Sequence, residues 1–101
     1  IAPEFKKIIE LTKDLALMNN SELYFIYLPS YERYVQNYDN KNYNSVKKII
    51  DKLGVPFIDI HSNIFKIEKN PLKYFPFKSF GHYNELGYKK VAEEIYNFTK
   101  K

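Results

Sequence analysis

The sequence predicts an α/β sandwich with parallel strands, because amphipathic helical stretches alternate with short, continuously apolar runs. Two such runs, 23–28 and 55–60, have the length of a strand and lack polar alternation, which is typical of strands covered on both faces. The chain has 101 residues, of which 45% are hydrophobic and 18% aromatic. This composition favours a folded globule over a disordered chain, and the length predicts one α/β domain over residues 1–101.

Three stretches have the 3.6-residue apolar period of an amphipathic helix. The first covers 3–18, the second covers 44–53 with Gly54 as its C-terminal stop, and the third covers 85–99. The residues expected to face a core are Phe5, Ile8, Ile9, Thr12, Leu15 and Ala16 in the first helix, and Tyr88, Val91, Ala92, Ile95 and Phe98 in the third.

The connecting segments are polar or rich in turn-forming residues. Residues 30–43 are predicted to form a long tyrosine-rich loop with one helical turn near 32–36, and a second turn is predicted at 63–67. Residues 71–81 are predicted to be an irregular loop. Two strands are few, because a doubly wound sheet usually has about five. The pattern therefore indicates that further strands belong to the N-terminal side of this sheet.

Charge and cysteine content exclude several classes of protein. The net charge is +4, but the lysines are scattered, so we expect no nucleic-acid interface. The chain has no cysteine, which excludes disulfides, thiolate catalysis and cysteine metal sites. No apolar run approaches the roughly 20 residues that a membrane span requires, and the first residues lack the pattern of a signal peptide. The compartment stays open.

A histidine lies directly before the third helix, in the stretch "SFGHYNELGYKKVAEEI" that begins at Ser79. Asn84 is a good N-cap, since its side-chain oxygen can accept a backbone N–H of the first turn. Glu85 then lies where the helix dipole favours an anion. His82 is therefore expected in a tight turn at the mouth of a well-defined helix.

This block resembles the last conserved block of the SGNH hydrolases, also called the GDSL lipase/esterase family. That family places a histidine before its final helix, followed by a small polar residue, a glycine and Val-Ala. Here His82, Asn84, Gly87 and Val91-Ala92 stand in the matching positions. The segments "LYFIYLPSYERY" and "VPFIDIHSNIF" resemble the last two central strands of the same fold. The resemblance implies a three-layer α/β/α, flavodoxin-like sandwich, of which this chain is the C-terminal segment.

The resemblance implies that His82 is the general base of a serine ester hydrolase or acyl transferase, because imidazole takes and returns protons near neutral pH. The Gly-Asp-Ser nucleophile motif and the oxyanion-hole blocks are absent from the chain. The family's acid stands three residues before the histidine, a position that Ser79 occupies here. The group that orients the ring is therefore left open between the Ser79 hydroxyl, a loop carbonyl and Asp59, which ends the second strand.

Other residues are weaker candidates for a functional role. Tyr31, in the tyrosine-rich loop, and Tyr83, next to His82, are candidate substrate-binding residues. Asp59 and His61 share one face of a strand, as metal ligands often do, but zinc sites normally need three or four ligands. We therefore expect no metal and no cofactor, and expect Asp59 to cap the following turn through Ser62 or Asn63.

The leading expectation is thus the C-terminal portion of an SGNH-type ester hydrolase. Its substrate is an ester on a lipid, a carbohydrate or a small molecule. Its partner is the missing N-terminal half of the domain or a second copy of the chain, and the chain alone is expected to be inactive. The alternative is a non-catalytic α/β interaction module, which binds a protein partner or itself through an exposed sheet edge and the tyrosine-rich loop.

Overall fold

The computed structural model describes residues 2–78 and 81–100, and within them the chain is a mixed α/β protein. This confirms the predicted class at the level of mixed helices and parallel strands. The two strands form a two-stranded parallel sheet. The described residues form the helices α1 (Glu4–Met18), α2 (Lys41–Lys52) and α3 (Glu85–Thr99) and the strands β1 (Phe25–Tyr27) and β2 (Phe57–Asp59).

Several element boundaries differ from those predicted. Helix α2 begins three residues earlier than the apolar period indicates, because the Asp39 carboxylate accepts the Lys41 backbone N–H at 2.9 Å and supports the first turn. Each strand keeps only three residues of its six-residue apolar run, the third to the fifth. The tyrosine-rich loop contains a 3₁₀ turn at Tyr31–Tyr34, and the turn after β2 is a π-helical turn at His61–Phe65.

The chain forms two compact units. Unit 1 comprises Ile1–Ile26 and Asp39–Phe57, and unit 2 comprises Tyr27–Tyr38 and Ile58–Lys101. None of the helices in the described residues is both long enough and apolar enough to cross a membrane.

In unit 1, α1 lies against the strand residues through one half-buried line of side chains. The Phe5 ring contacts the Phe25 ring edge-on at 6.0 Å, and Phe25 stacks on Phe57 at 5.6 Å. Lys13 donates to the Leu53 carbonyl, an otherwise orphaned acceptor at the end of α2, at 2.5 Å. A second apolar line on α1 stays exposed and consists of Ile8, Leu11, Leu15 and Met18. The prediction that the apolar residues of α1 share one core-facing surface is therefore wrong. They form two lines, and one of these lines is exposed to solvent.

Unit 2 has an aromatic core centred on Phe65. This ring lies 4.9 Å from Tyr74, 5.2 Å from Tyr83 and 5.8 Å from Phe75 by ring centroids. All four rings are buried. Helix α3 packs beside this cluster through Gly87 and Val91, whereas Tyr88, Ala92 and Phe98, predicted to face the core, are exposed.

Candidate functional site

His82 lies in the loop between a 3₁₀ turn at Pro76–Lys78 and helix α3, with its side chain exposed. Its Nδ1 is 2.7 Å from the carbonyl oxygen of Tyr83. A carbonyl can only accept a hydrogen bond, so Nδ1 carries the proton in the neutral ring. The Nε2 atom then presents its lone pair, and this is the form of imidazole that can accept a proton from a hydroxyl group.

The His82 ring is also held from one side by an aromatic neighbour. It stacks on Tyr88 of α3, with ring centroids 6.3 Å apart and planes at 18°. Tyr88 in turn contacts the buried Tyr83 ring edge-on at 5.5 Å. Among the described residues, the Tyr83 carbonyl and the Tyr88 ring therefore orient the imidazole, and both residues contact the core of unit 2.

Asn84 closes the stem of the loop that carries His82. Its Oδ1 accepts the Gly87 N–H at 2.9 Å, which makes it the N-cap of α3. Its Nδ2 donates to the carbonyls of Lys73 at 2.7 Å and Phe75 at 3.2 Å, and its backbone N–H donates to Tyr74 at 2.8 Å. One side chain thus joins the start of the helix to the segment in front of the loop.

Gly87 allows this close approach of helix and loop. A Cβ atom at Gly87 would lie 2.6 Å from the Tyr74 carbonyl oxygen and 2.9 Å from the Tyr83 Cβ. Any larger residue would push α3 away from the two segments that position His82. The glycine in the family-like block therefore has a packing role in this chain.

The two predicted substrate-binding tyrosines lie in different surroundings. Tyr83 is buried, and its hydroxyl donates to the Pro29 carbonyl at 2.5 Å. Burial raises the pKa of this hydroxyl well above its ordinary value. Tyr31 is half-buried, with its ring edge-on to Phe75 at 5.6 Å. Tyr83 thus anchors the His82 loop from the inside, and substrate contact by either residue stays a prediction.

Of the groups predicted to orient His82, Asp59 caps a turn and a loop carbonyl contacts the ring. The Asp59 carboxylate is buried and accepts both the backbone N–H of Ser62 at 3.0 Å and its hydroxyl at 3.1 Å. It therefore caps the turn after β2, as the sequence predicts. Ser79 lies outside the described residues. Of the two groups that the structure describes, the loop carbonyl of Tyr83 contacts the ring.

A second polar cluster follows the carboxyl ends of β1 and β2, and the sequence indicated its histidine and its tyrosine-rich loop but not its arginine. The buried Arg33 guanidinium donates to the Tyr27 hydroxyl at 2.6 Å and lies 4.4 Å from the centre of the Tyr38 ring. His61 Nδ1 lies 2.7 Å from the Tyr34 hydroxyl, and its Nε2 lies 3.5 Å from Arg33 Nη1. Arg33 could have been noticed, because it is the only arginine in the sequence and stands between Tyr31 and Tyr34 shortly after the first apolar run.

Burial is the main reason that the pKa of His61 lies below its ordinary value, and the positive charges of Arg33 and Lys66 add to it. The Asp59 carboxylate acts in the opposite direction. Burial likewise raises the pKa of Tyr34. His61 is therefore a half-buried, hydrogen-bonded residue whose lowered pKa keeps it neutral near physiological pH.

None of the predicted site residues lines the cavity of unit 1, and none belongs to a metal-binding cluster of the described residues. The described part of the chain contains no group of three or more His, Cys, Asp or Glu side chains placed to hold a metal ion. A cavity of about 240 Å³ lies in unit 1 between α1 and the segments that precede the two strands. In parallel sheets ligands bind at the carboxyl ends of the strands, and this cavity lies at their amino ends.

Comparisons with protein-family models, with curated proteins and with solved structures gave no match to this chain.

Proposed function

We propose that this chain is the C-terminal portion of an SGNH-type serine ester hydrolase or acyl transferase, in which His82 is the general base. The observation that carries the proposal is the state of the His82 ring. Its Nδ1–H is held by the Tyr83 carbonyl, and the residue is exposed at the start of a capped helix. A base for an external hydroxyl needs a ring that is held in one orientation and tautomer, on a residue that the hydroxyl can reach.

The chemistry needs a serine hydroxyl that the N-terminal half of the domain supplies. As the serine oxygen attacks the ester carbonyl, its proton passes to His82 Nε2. The imidazolium then returns that proton to the leaving alcohol, and an acyl-serine remains. Water, or an acceptor alcohol in a transferase, attacks the acyl-serine with the same base. The Tyr83 carbonyl stabilises the imidazolium through Nδ1–H, in the place of the usual carboxylate.

The exposed apolar line of α1 supports a larger domain around this chain. Ile8, Leu11, Leu15 and Met18 are all more than half exposed, and a helix with apolar residues on two surfaces is normally covered on both. A sheet of only two strands is also short for an α/β domain. The proposal therefore includes a three-layer α/β/α sandwich, in which the N-terminal half of the domain supplies further strands and covers this line.

The same exposed line favours the second candidate function, a non-catalytic module that binds a protein partner or a second copy of itself. The two candidates differ in their predictions. A hydrolase segment restores esterase activity together with the native upstream sequence. An interaction module has no esterase activity in any context, and its α1 line becomes protected when the partner or the second copy binds.

The test is hydrolysis of p-nitrophenyl acetate by the full-length protein that contains this sequence. We expect His82→Ala to lower kcat/KM by about 10²- to 10⁴-fold, the usual contribution of a general base. Added imidazole should restore part of the activity, because the ring of His82 is exposed. Asp59→Asn serves as the matched variant for the competing acid, and we expect it to retain far more activity than His82→Ala. Equal rates for wild type and His82→Ala would exclude His82 as the base.

A further inference from the structure

His61 connects the turn after β2 to the turn after β1, and both turns belong to unit 2. It is the first residue of the π-helical turn His61–Phe65, whereas Arg33 and Tyr34 lie in the 3₁₀ turn Tyr31–Tyr34. Its Nδ1 is 2.7 Å from the Tyr34 hydroxyl, and its Nε2 is 3.5 Å from Arg33 Nη1. The two nitrogens of one ring therefore hold together segments that are 27 and 28 residues apart in the sequence.

The neighbours of His61 decide which of its ring nitrogens carries the proton. A guanidinium group has donors only, so Nε2 can bond to Arg33 only through its lone pair. The proton of the neutral ring is therefore on Nδ1, and it is donated to the hydroxyl oxygen of Tyr34, which can accept it. The contact between His61 and Arg33 thus requires the neutral ring.

Arg33 is itself held in place by contacts within the segment after β1. The residue is buried, and its Nη2 donates to the Tyr27 hydroxyl at 2.6 Å. The guanidinium carbon lies 4.4 Å from the centre of the Tyr38 ring. Arginine keeps its charge at every pH at which proteins are folded. A permanent positive charge therefore faces Nε2 of His61.

Protonation of His61 removes the contact with Arg33. The added proton takes the Nε2 lone pair, so that N–H groups face each other and no hydrogen bond can form between them. Burial lowers the pKa of the imidazole, the charges of Arg33 and Lys66 add to this effect, and Asp59 opposes it. Tyr34 brings no charge to the ring near neutral pH, because burial raises its pKa.

We propose that His61 forms an acid-released latch with Arg33 and Tyr34, in which the neutral ring holds residues 30–38 against the turn after β2 and protonation releases them locally. The released form binds the second ring proton more readily than the closed form, so the released fraction rises as the pH falls. The inference is independent of the proposed function, because it uses no residue of the loop that carries His82.

Ring contacts limit how far the release extends. Tyr34 stacks on Phe65 with ring centroids 5.4 Å apart, and Tyr31 lies edge-on to Phe75 at 5.6 Å. Opening of residues 30–38 loses these contacts, whereas the contacts among the buried rings of unit 2 remain. Acid therefore increases a local opening of this segment and does not unfold the aromatic core.

The experiment is amide hydrogen exchange of the full-length protein that contains this sequence, read by mass spectrometry at about pH 7.5 and about pH 5, on either side of the ordinary titration of histidine. The protection of each peptide is corrected for the pH dependence of the intrinsic exchange rate. We expect the protection of residues 30–38 to fall about tenfold or more at the lower pH, the factor expected for loss of a hydrogen bond to a charged group. Helix α3 is the internal control and should keep its protection.

The two histidines of the chain provide a matched pair of variants. His61→Gln should already have lower protection of residues 30–38 at neutral pH, because glutamine lacks the ring contact with Tyr34. It should show no further loss on acidification, since its amide does not titrate. His82→Gln should respond to pH as the wild type does, and loss of the response in this variant would count against the latch.

Nitrogen-15 NMR of the histidine rings tests the latch in the wild type without any substitution. We expect the Nδ1–H tautomer for His61 at neutral pH. An Nε2–H tautomer, unchanged protection of residues 30–38 at the two pH values, or an equal acid-induced loss in His61→Gln would each overturn the inference. The two wild-type measurements decide the question even if His61→Gln does not fold.

Discussion

The aromatic core of unit 2 and helix α1 of unit 1 use their apolar residues in opposite ways. In unit 2, Phe65 is fully buried among three other buried rings. In α1, a helix of 15 residues, no residue is buried, and Leu15 is 60% exposed. Apolar side chains therefore form a buried core in unit 2, whereas those on the outer line of α1 lie at the surface.

The difference shows where this chain can position a functional group by itself. The loop that carries His82 is fastened to the aromatic core by Tyr83 and by the Asn84 side chain. Precise positioning needs supporting residues that are themselves locked by packing, and unit 2 supplies them. Helix α1 lacks such packing on its outer line, so its apolar residues are available for a neighbouring part of a larger protein.

The largest expected effect comes from removing the centre of the aromatic core. Phe65→Ala should lower the free energy of unfolding by about 3–5 kcal/mol, because a buried ring and its contacts are lost and a cavity remains. In the 101-residue chain, where Leu15 is 60% exposed, Leu15→Ala should change it by less than about 0.5 kcal/mol. Urea unfolding followed by circular dichroism measures both. A cost for Leu15→Ala comparable to that for Phe65→Ala would contradict the contrast between the two regions.

An intermediate effect is expected at the stem of the His82 loop. Asn84→Ala removes the N-cap acceptor and two donors, so it should lower the free energy of unfolding by about 1–2 kcal/mol. Asn84→Asp is the informative partner, because it keeps the acceptor for the Gly87 N–H but cannot donate to the Lys73 and Phe75 carbonyls. Thermal unfolding of both variants separates the two roles.

If the stem matters for positioning, Asn84→Asp should impair esterase activity of the full-length protein more than its stability change accounts for. Unchanged activity in Asn84→Asp would show that the cap alone, without the ties to the carbonyls, holds the loop.

The smallest effect is the pH dependence associated with His61. The folded state lowers the pKa of this imidazole from 6.5, so the unfolded chain binds a proton more readily. Its contribution to stability is fully present above about pH 6.5 and is lost as the pH falls through the lowered pKa. We expect the unfolding free energies of wild type and His61→Gln to converge as the pH falls from about 8 to about 5. A difference that grows on acidification would reverse the sign of this argument.

Most of the secondary structure could be predicted from local patterns. The long 3.6-residue periods predicted α1 and α3 to within one residue at each end, and the apolar runs contain both strands. The start of α2 could not be predicted from the period, since it depends on a carboxylate that accepts a backbone N–H ahead of the first apolar residue. The outward placement of Ile8 and Leu15 was also missed, because periodicity marks apolar positions without indicating what covers them.

The candidate site was predictable in its histidine but not in its supporting contacts. His82 and its cap Asn84 are adjacent in sequence, so the loop-helix pattern indicated both. The Tyr83 carbonyl as the partner of Nδ1 depends on how one short loop turns, and several acceptors were open beforehand. The cluster of Arg33, Tyr34 and His61 brings together residues about 28 positions apart, which no local pattern reports.

By itself, the sequence determined the order of helices and strands, the capped start of α3 and the presence of a histidine in front of it, because each follows from neighbouring residues. Only the tertiary structure decided which apolar residues are buried, so that Phe75 is buried while Phe77 is exposed, and which histidine is exposed. Burial is a property of contacts between distant segments, and the same side chain is stabilised inside or left at the surface according to what the rest of the chain brings against it.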